Sequence, residues 1–188
     1  MFRIASYSVV LLLCLCSLCY AGDPHKSAGV VFYQRGVEQA QKNDIPGAIV
    51  FFKQAIKADP AFAPAYNGLG MGLFVQKKYK EAEENLKKAV QADPRLVKAH
   101  YNLGNLYADR NRNEEAVAEF KKATELDPKF PSAYSGWGMV LVEMKKYDEA
   151  IEKLRIAAKL DPSPDAKTNE IIKKIEKMKA ADKKPAGQ

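Results

Sequence analysis

Four Asp-Pro dipeptides stand in strict register along the chain. They are Asp59-Pro60, Asp93-Pro94, Asp127-Pro128 and Asp161-Pro162, 34 residues apart each time. A fixed period of this length marks stacked supersecondary units, each too small to bury its apolar face alone. Units set at 29–62, 63–96, 97–130 and 131–164 align without a gap. Position 8 of each is glycine: Gly36, Gly70, Gly104 and Gly138. Position 20 is alanine (Ala48, Ala82, Ala116, Ala150), and so is position 27 (Ala55, Ala89, Ala123, Ala157). Between the alanines stand Phe52, Leu86, Phe120 and Leu154, and position 4 holds Phe32, Tyr66, His100 and Tyr134.

Each unit reads as two helices. Positions 4, 7, 8 and 11 fall on one stripe of a first helix, the i, i+3, i+4, i+7 spacing of a buried face. Positions 20, 24 and 27 do the same in a second. Glycine inside a helix costs about 0.5–1 kcal/mol relative to alanine, so its fourfold recurrence implies close helix packing. Asp-Pro ends each second helix, because proline disfavours helical geometry in the residue before it. Pro64 and Pro131 then fall at the start of the next first helix, where proline is favoured. Trp137, the only tryptophan, takes core position 7 of its unit.

These residues resemble the tetratricopeptide repeat family. The resemblance covers 29–164 and is strongest in the third unit, from Val97 through Gly104 and Ala116 to Asp127-Pro128. It implies an all-α fold: a right-handed superhelical solenoid of four helix-turn-helix units, with a concave groove lined mainly by the first helices. Residues 165–181 continue in phase as one more first helix, with Ile171, Ile172 and Ile175 on its apolar stripe and Met178 extending it. Lys167, Lys173, Lys174, Lys177 and Lys179 cover the outer face of this capping helix. Arg35 and Gln39 stand at normally apolar positions of the first unit, as suits a unit with no neighbour on one side. Residues 182–188 read as a frayed tail and 22–28 as a linker.

The first 21 residues differ from the rest. Met1 to Arg3 is a short positive start, Ile4 to Tyr20 carries no charge, and Cys19-Tyr20-Ala21 offers small residues at −3 and −1 before Gly22. That is the layout of a secretory signal peptide cleaved after Ala21. Retention as a membrane anchor and lipidation at a cysteine are the alternatives; Ser6, Ser8 and Ser17 weaken the first, and bulky Leu18 before Cys19 weakens the second. The expected product is exported, periplasmic or secreted. All three cysteines (Cys14, Cys16, Cys19) lie in this leader. Cleavage leaves no disulfide, redox or thiolate-metal chemistry in the mature chain.

The net charge of +7 falls to +6 without Arg3. Basic and acidic residues alternate along the helices, which makes a solvated surface rather than a nucleic-acid footprint. Weak contact with an anionic membrane surface is the expected consequence. The two histidines offer no base or ligand: His25 lies in the linker, and His100 holds a core aromatic position. Glu83-Glu84 and Glu114-Glu115 fall at normally solvated positions of second helices. No cofactor, metal site or catalytic constellation is expected.

A helix turns about 100° per residue, so positions 2, 5, 6, 9, 12 and 13 form a second face beside the core stripe. The candidate groove residues there are Tyr33 and Gln34; Asn67, Met71 and Phe74; Tyr101, Asn102 and Asn105; and Ser135 and Met139. Met71, Phe74 and Met139 serve equally well as stacking contacts between units. Gly68 and Gly136, at position 6, are expected to leave hollows. Some family members hold a partner's C-terminal carboxylate with a clamp of lysines, asparagines and arginine. The corresponding residues here, Tyr33, Val37, Gly68, Lys98 and Asn102, do not form that clamp, nor do those traced from the second unit. The reading is therefore a non-catalytic adaptor that binds a polypeptide segment in its groove, of use in assembling an envelope machine. A self-associating scaffold, with the basic C-terminal helix of one copy in the groove of another, is the alternative, and an enzyme is a distant third.

Overall fold

The computed structural model describes residues 24–162 and 165–182; the leader (1–21) and the last six residues of the tail lie outside them. Nine helices and no strands occur among the described residues: α1 (Pro24–Gln41), α2 (Ile45–Ala58), α3 (Ala63–Val75), α4 (Tyr79–Ala92), α5 (Val97–Asp109), α6 (Asn113–Leu126), α7 (Pro131–Glu143), α8 (Tyr147–Leu160) and α9 (Asp165–Asp182). They form an all-α repeat solenoid of four antiparallel helix pairs and a closing helix. α1 reaches back to Pro24, so the segment read as a linker continues the first helix.

Each unit is built by the same local devices. Within a pair, the chain reverses at a residue with left-handed backbone, Asn43, Lys77, Asn111 or Lys145, with φ between 55° and 63°. This conformation closes the helix by returning backbone N–H groups to its last carbonyls, as from Lys78 to Leu73 (3.0 Å). At the second helix's end the aspartate of Asp-Pro does two things. Its own N–H caps the helix, and its carboxylate accepts the N–H two residues on: Ala61 to Asp59 (3.0 Å), Arg95 to Asp93 (2.9 Å), Lys129 to Asp127 (2.9 Å). That aspartate turn bridges the proline and launches the next first helix.

The alanines at positions 20 and 27 are all buried, seven of the eight fully or nearly so, which lets paired helices approach closely. Position 3 of the first helix is buried too, as Ala65, Ala99 and Ala133, and faces the preceding unit. In the first unit the same position is Val31, 46% exposed, because no unit precedes it. Trp137 is half-buried, with the Lys153 ammonium 4.6 Å from its ring centre and its indole N–H enclosed.

The position-24 residue ties neighbouring units together. The Phe52 ring lies between two glycines, and a Cβ would come within 2.6 Å of it at Gly36 and 2.8 Å at Gly68. Phe120 lies between Gly104 and Gly136 in the same way, at 2.7 Å from each. Position-6 glycine is thus the space into which the previous unit's phenylalanine fits.

The closing helix α9 packs on α8. Ile172 and Ile175 are buried against Tyr147, Ile151 and Leu154. The Tyr147 hydroxyl donates to Asp182 (2.8 Å), Lys179 pairs with Asp148, and Lys145 reaches Asp182 at 3.4 Å. The stripe therefore runs Ile172, Ile175, Lys179, Asp182 at helical spacing. Met178, expected to extend it, points aside and is 45% exposed; Lys179, expected on the outer face, turns inward to Asp148.

Candidate peptide-binding groove

First helices pack on the first helices of the next unit, α1 on α3, α3 on α5 and α5 on α7, whereas no two second helices pack comparably. The array therefore curves with its first helices inside, and their outward stripe is the concave surface. Charge is sparse there. α3 carries no charged residue at all, and Lys98 on α5 is the cation at the rim of the first hollow.

Two hollows open on this surface. The first, about 430 Å³, lies between α1 and α3, with walls from Tyr33, Val37, Met71 and Val75 and a floor at Phe52 and Gly68. The second, about 330 Å³, lies along α7, with Tyr101 of α5 at one side, Ser132, Ser135, Gly136 and Met139 along it, and Ala157, Ala158, Asp161 and Thr168 at the end of α8 and on α9 closing it. In each, a tyrosine leans on the buried phenylalanine: Tyr33 on Phe52 (5.8 Å between centroids) and Tyr101 on Phe120 (5.9 Å). A second phenylalanine meets each tyrosine edge-on, Phe62 at 5.4 Å and Phe130 at 5.1 Å. These contacts fix the tyrosines as rigid walls. Burial raises the Tyr33 hydroxyl above its ordinary pKa, so it stays a neutral donor.

Between the hollows, the α3–α5 junction is filled. Asn102 stands where the other junctions have Gly68 and Gly136, and its Nδ2 donates to Asn67 Oδ1 at 2.8 Å with both residues buried. The Leu86 side chain lies in place of phenylalanine against Gly70. Of the residues singled out in the sequence, Tyr33, Asn67 and Met71 line the first hollow, and Tyr101, Ser135 and Met139 line the second. Asn105 is half-buried, one helical turn beyond Tyr101. Gln34 is exposed and lines neither hollow, and Phe74 packs edge-on against Tyr79 at 5.9 Å within its own unit. Val75, 57% exposed at the rim, and Ala157, Ala158 and Thr168 complete the hollows without having been singled out. The last three come from α8 and α9, whose inward reach no first-helix periodicity displays.

Other polar groups gather outside the groove. Arg112 binds Glu83 (2.8 Å) and Glu115, with its guanidinium 4.2 Å from the Tyr107 ring centre, and Lys87 also pairs with Glu83 (2.7 Å). Glu83 and Glu115, read as solvated, are thus engaged in a network joining the second and third units. His100 is buried, with Nδ1 2.7 Å from Glu119 and Nε2 3.1 Å from the Pro94 carbonyl.

Comparison with known proteins agrees with this architecture. A family model for the TPR repeat matches residues 73–109 and 104–144. The uncharacterized protein MJ0572 of Methanocaldococcus jannaschii is 32% identical over 53 residues, 28% of this chain and 62% of that protein; the match spans about three fifths of the relative's length. The solved structure of Pseudomonas aeruginosa pilF superposes with a TM-score of 0.72 at 22% identity, over 88% of this chain and 80% of that one. The first TPR domain of Spaghetti (RPAP3), bound to an HSP90 peptide, SRMEEVD, superposes with a TM-score of 0.61 at 20% identity, over 63% of this chain and 94% of that one. Residues 73–144 thus carry TPR repeats by the family model, and the described helices share the fold of a solved TPR domain.

Proposed function

We propose that the protein is a non-catalytic adaptor that holds a polypeptide segment on its concave face, after export from the cytoplasm. The observation that carries this reading is the pair of tyrosine-walled hollows, each lined mainly by apolar and small polar groups with a single charged residue, Lys98 in the first and Asp161 in the second, while the Arg112–Glu83–Glu115 network gathers elsewhere. Such a surface favours apolar side chains over nucleic acid or phosphate. The RPAP3 domain with its bound peptide supports the same use of the same fold. The clamp positions hold Tyr33, Val37, Gly68, Lys98 and Asn102, which favours an internal segment over a C-terminal carboxylate. Export rests on the charge-free Ile4 to Tyr20 stretch and the small residues before Gly22.

The test is capture of the partner from the native envelope fraction, followed by affinity measurement with two variant pairs. Tyr101→Ala with Asn105→Ala should weaken binding tenfold or more, a loss of about 1.4 kcal/mol. Lys121→Glu with Lys122→Glu, on a second helix, should change it far less. Equal losses would mean nonspecific electrostatic attraction. An unchanged affinity for the groove pair overturns the reading, and concentration-dependent mass without a partner would make self-association the occupant instead. Export is tested separately: the N-terminus of native protein should be Gly22, and a retained Met1 overturns cleavage.

A further inference from the structure

Lys98 is a cation that its own fold leaves unmatched. It stands second in α5, and the same place in the other units holds Val30, Pro64 and Ser132. It is exposed and makes no ion pair among the described residues, whereas Lys87, Lys122, Lys153 and Lys179 each meet a carboxylate. Its helix does not favour it either, because a cation in the first turn lies at the positive end of the macrodipole. What it lines is the first hollow, where it is the one charged residue. Tyr33, Val37, Phe52, Met71 and Val75 supply apolar walls and floor there, and Asn67 is engaged by Asn102. The second hollow is built differently, with Ser132, Ser135 and Thr168 in its lining and an acid, Asp161, as its charged residue.

We infer that the first hollow is a receptor for one large apolar side chain of the bound segment, and that Lys98 pairs with an acidic side chain neighbouring it in that segment. This deepens the proposed adaptor function and rests on it. The hollow, about 430 Å³, has room for a leucine or phenylalanine side chain. A charged side chain entering it would leave water for a lining that offers an opposite charge only to an acid, and only at Lys98. Tyr33 is held by Phe52 and Phe62, so it meets the incoming group as a fixed wall. Met71 is the adaptable part of the lining, a flexible thioether that fills irregular gaps and makes favourable contacts with aromatic rings. The charge beside the apolar group follows from complementarity. A carboxylate there gives Lys98 its missing partner, whereas a lysine would set like charges together at the hollow. The segment is internal, so the carboxylate belongs to a glutamate or aspartate.

The experiment uses the full chain with isotope-labelled methionine methyl groups and a Ser/Gly/Thr peptide carrying a single phenylalanine flanked by glutamates. Met71 reports on the first hollow and Met139 on the second. NMR titration should shift the Met71 methyl signal saturably and leave that of Met139 in place. Phenylalanine→alanine in the peptide should weaken binding roughly tenfold or more. Glutamate→lysine should weaken it roughly two- to fivefold. Lys98→Glu should reverse that preference, so that the lysine peptide binds tighter than the glutamate peptide, with thermal melting not lowered because Lys98 is exposed. Lys121→Glu, on a second helix, should leave the preference as it was. Glutamate and lysine peptides of equal affinity, a preference that survives Lys98→Glu, no shift of Met71, or equal shifts of Met71 and Met139 would each overturn the assignment. If it falls in this way while captured native partner still loses affinity on Tyr101→Ala with Asn105→Ala, the groove reading stands without it. Captured partner indifferent to that pair overturns the groove reading itself.

Discussion

The side-chain amide of Asn102 donates to the side-chain oxygen of Asn67 across 2.8 Å, joining two units through residues 35 positions apart. Both are buried, so neither loses its partner without a desolvation cost. Asn102→Ala should destabilise the fold by about 1–3 kcal/mol, because Asn67 Oδ1 is left enclosed without its donor. A double-mutant cycle with Asn67→Ala, measured by chemical denaturation, should give a coupling of roughly 0.5–3 kcal/mol. Strict additivity of the two single losses would mean the pair does not hold the units together.

The Asn pair also shows where sequence periodicity stops. Helix pairs, their Asp-Pro boundaries and the buried alanine stripe follow from a 34-residue spacing and local propensity, because each is decided within one unit. The outward face of the first helices follows from the 100° turn, which is why Tyr33, Met71, Tyr101 and Met139 are legible as groove residues. Periodicity assigns a face but not a partner. Asn67 and Asn102 share the groove face, and only the stacking of α3 on α5 turns them toward each other. Gly68 reads as an empty place, yet its space is entered from below by Phe52 of the previous unit, and the hollow lies above that ring. Met178 and Lys179 exchange roles because the buried stripe steps from Ile175 to the i+4 position, where Lys179 meets Asp148 of α8 and Met178 is left exposed.

His100 should make stability depend on pH. Its ring faces a carboxylate at one nitrogen and a carbonyl at the other, both acceptors, so only the doubly protonated ring satisfies both contacts. The bond to Glu119 is the chief cause that raises its pKa above the ordinary 6.5; burial and nearby Lys122 oppose it. A raised folded-state pKa means this stabilisation is complete below the unfolded value and is lost as pH rises through the folded one. Thermal midpoints should therefore fall as pH rises from the ordinary value of 6.5 through the raised folded-state value. His100→Tyr, which copies position 4 of the second and fourth units, should flatten that slope, as should Glu119→Gln. NMR titration of the ring should place its pKa above that of an unfolded peptide, and a value at or below it would refute the assignment.

The closing helix should unfold separately from the rest. α9 is held by Ile172 and Ile175 against one helix, whereas internal first helices pack on both helices of the preceding unit. Ile175→Ala removes a buried side chain of the kind worth about 2–5 kcal/mol in a core, more than this single-sided contact can lose and stay docked. Hydrogen exchange should then show α9 amides losing protection while α3 to α6 keep theirs. Removing residues 165–188 should lower the melting temperature by exposing Tyr147, Ile151 and Leu154. Unchanged melting after truncation would show that α9 does not cap the array.

Gly68→Ala should be destabilising although alanine is the better helix former by about 1 kcal/mol. Its Cβ would stand 2.8 Å from the Phe52 ring, whose other side already lies so near the Gly36 backbone that a Cβ there would come within 2.6 Å of it. Overpacking of this kind costs about 1–3 kcal/mol, enough to reverse the helical gain. The array itself contains the remedy: where Leu86 replaces phenylalanine, the facing position accepts Asn102. Phe52→Leu alone should lose stability by leaving space against both glycines. Combined with Gly68→Ala, it should recover most of the loss of either single variant, a favourable coupling of about 1 kcal/mol or more in denaturant titrations. Gly136→Ala with Phe120→Leu should behave alike, since Phe120 stands 2.7 Å from the corresponding Cβ at both glycines. If Gly68→Ala stabilises the protein, or if the double variant is no better than the sum of its parts, phenylalanine and glycine are not matched across the junction.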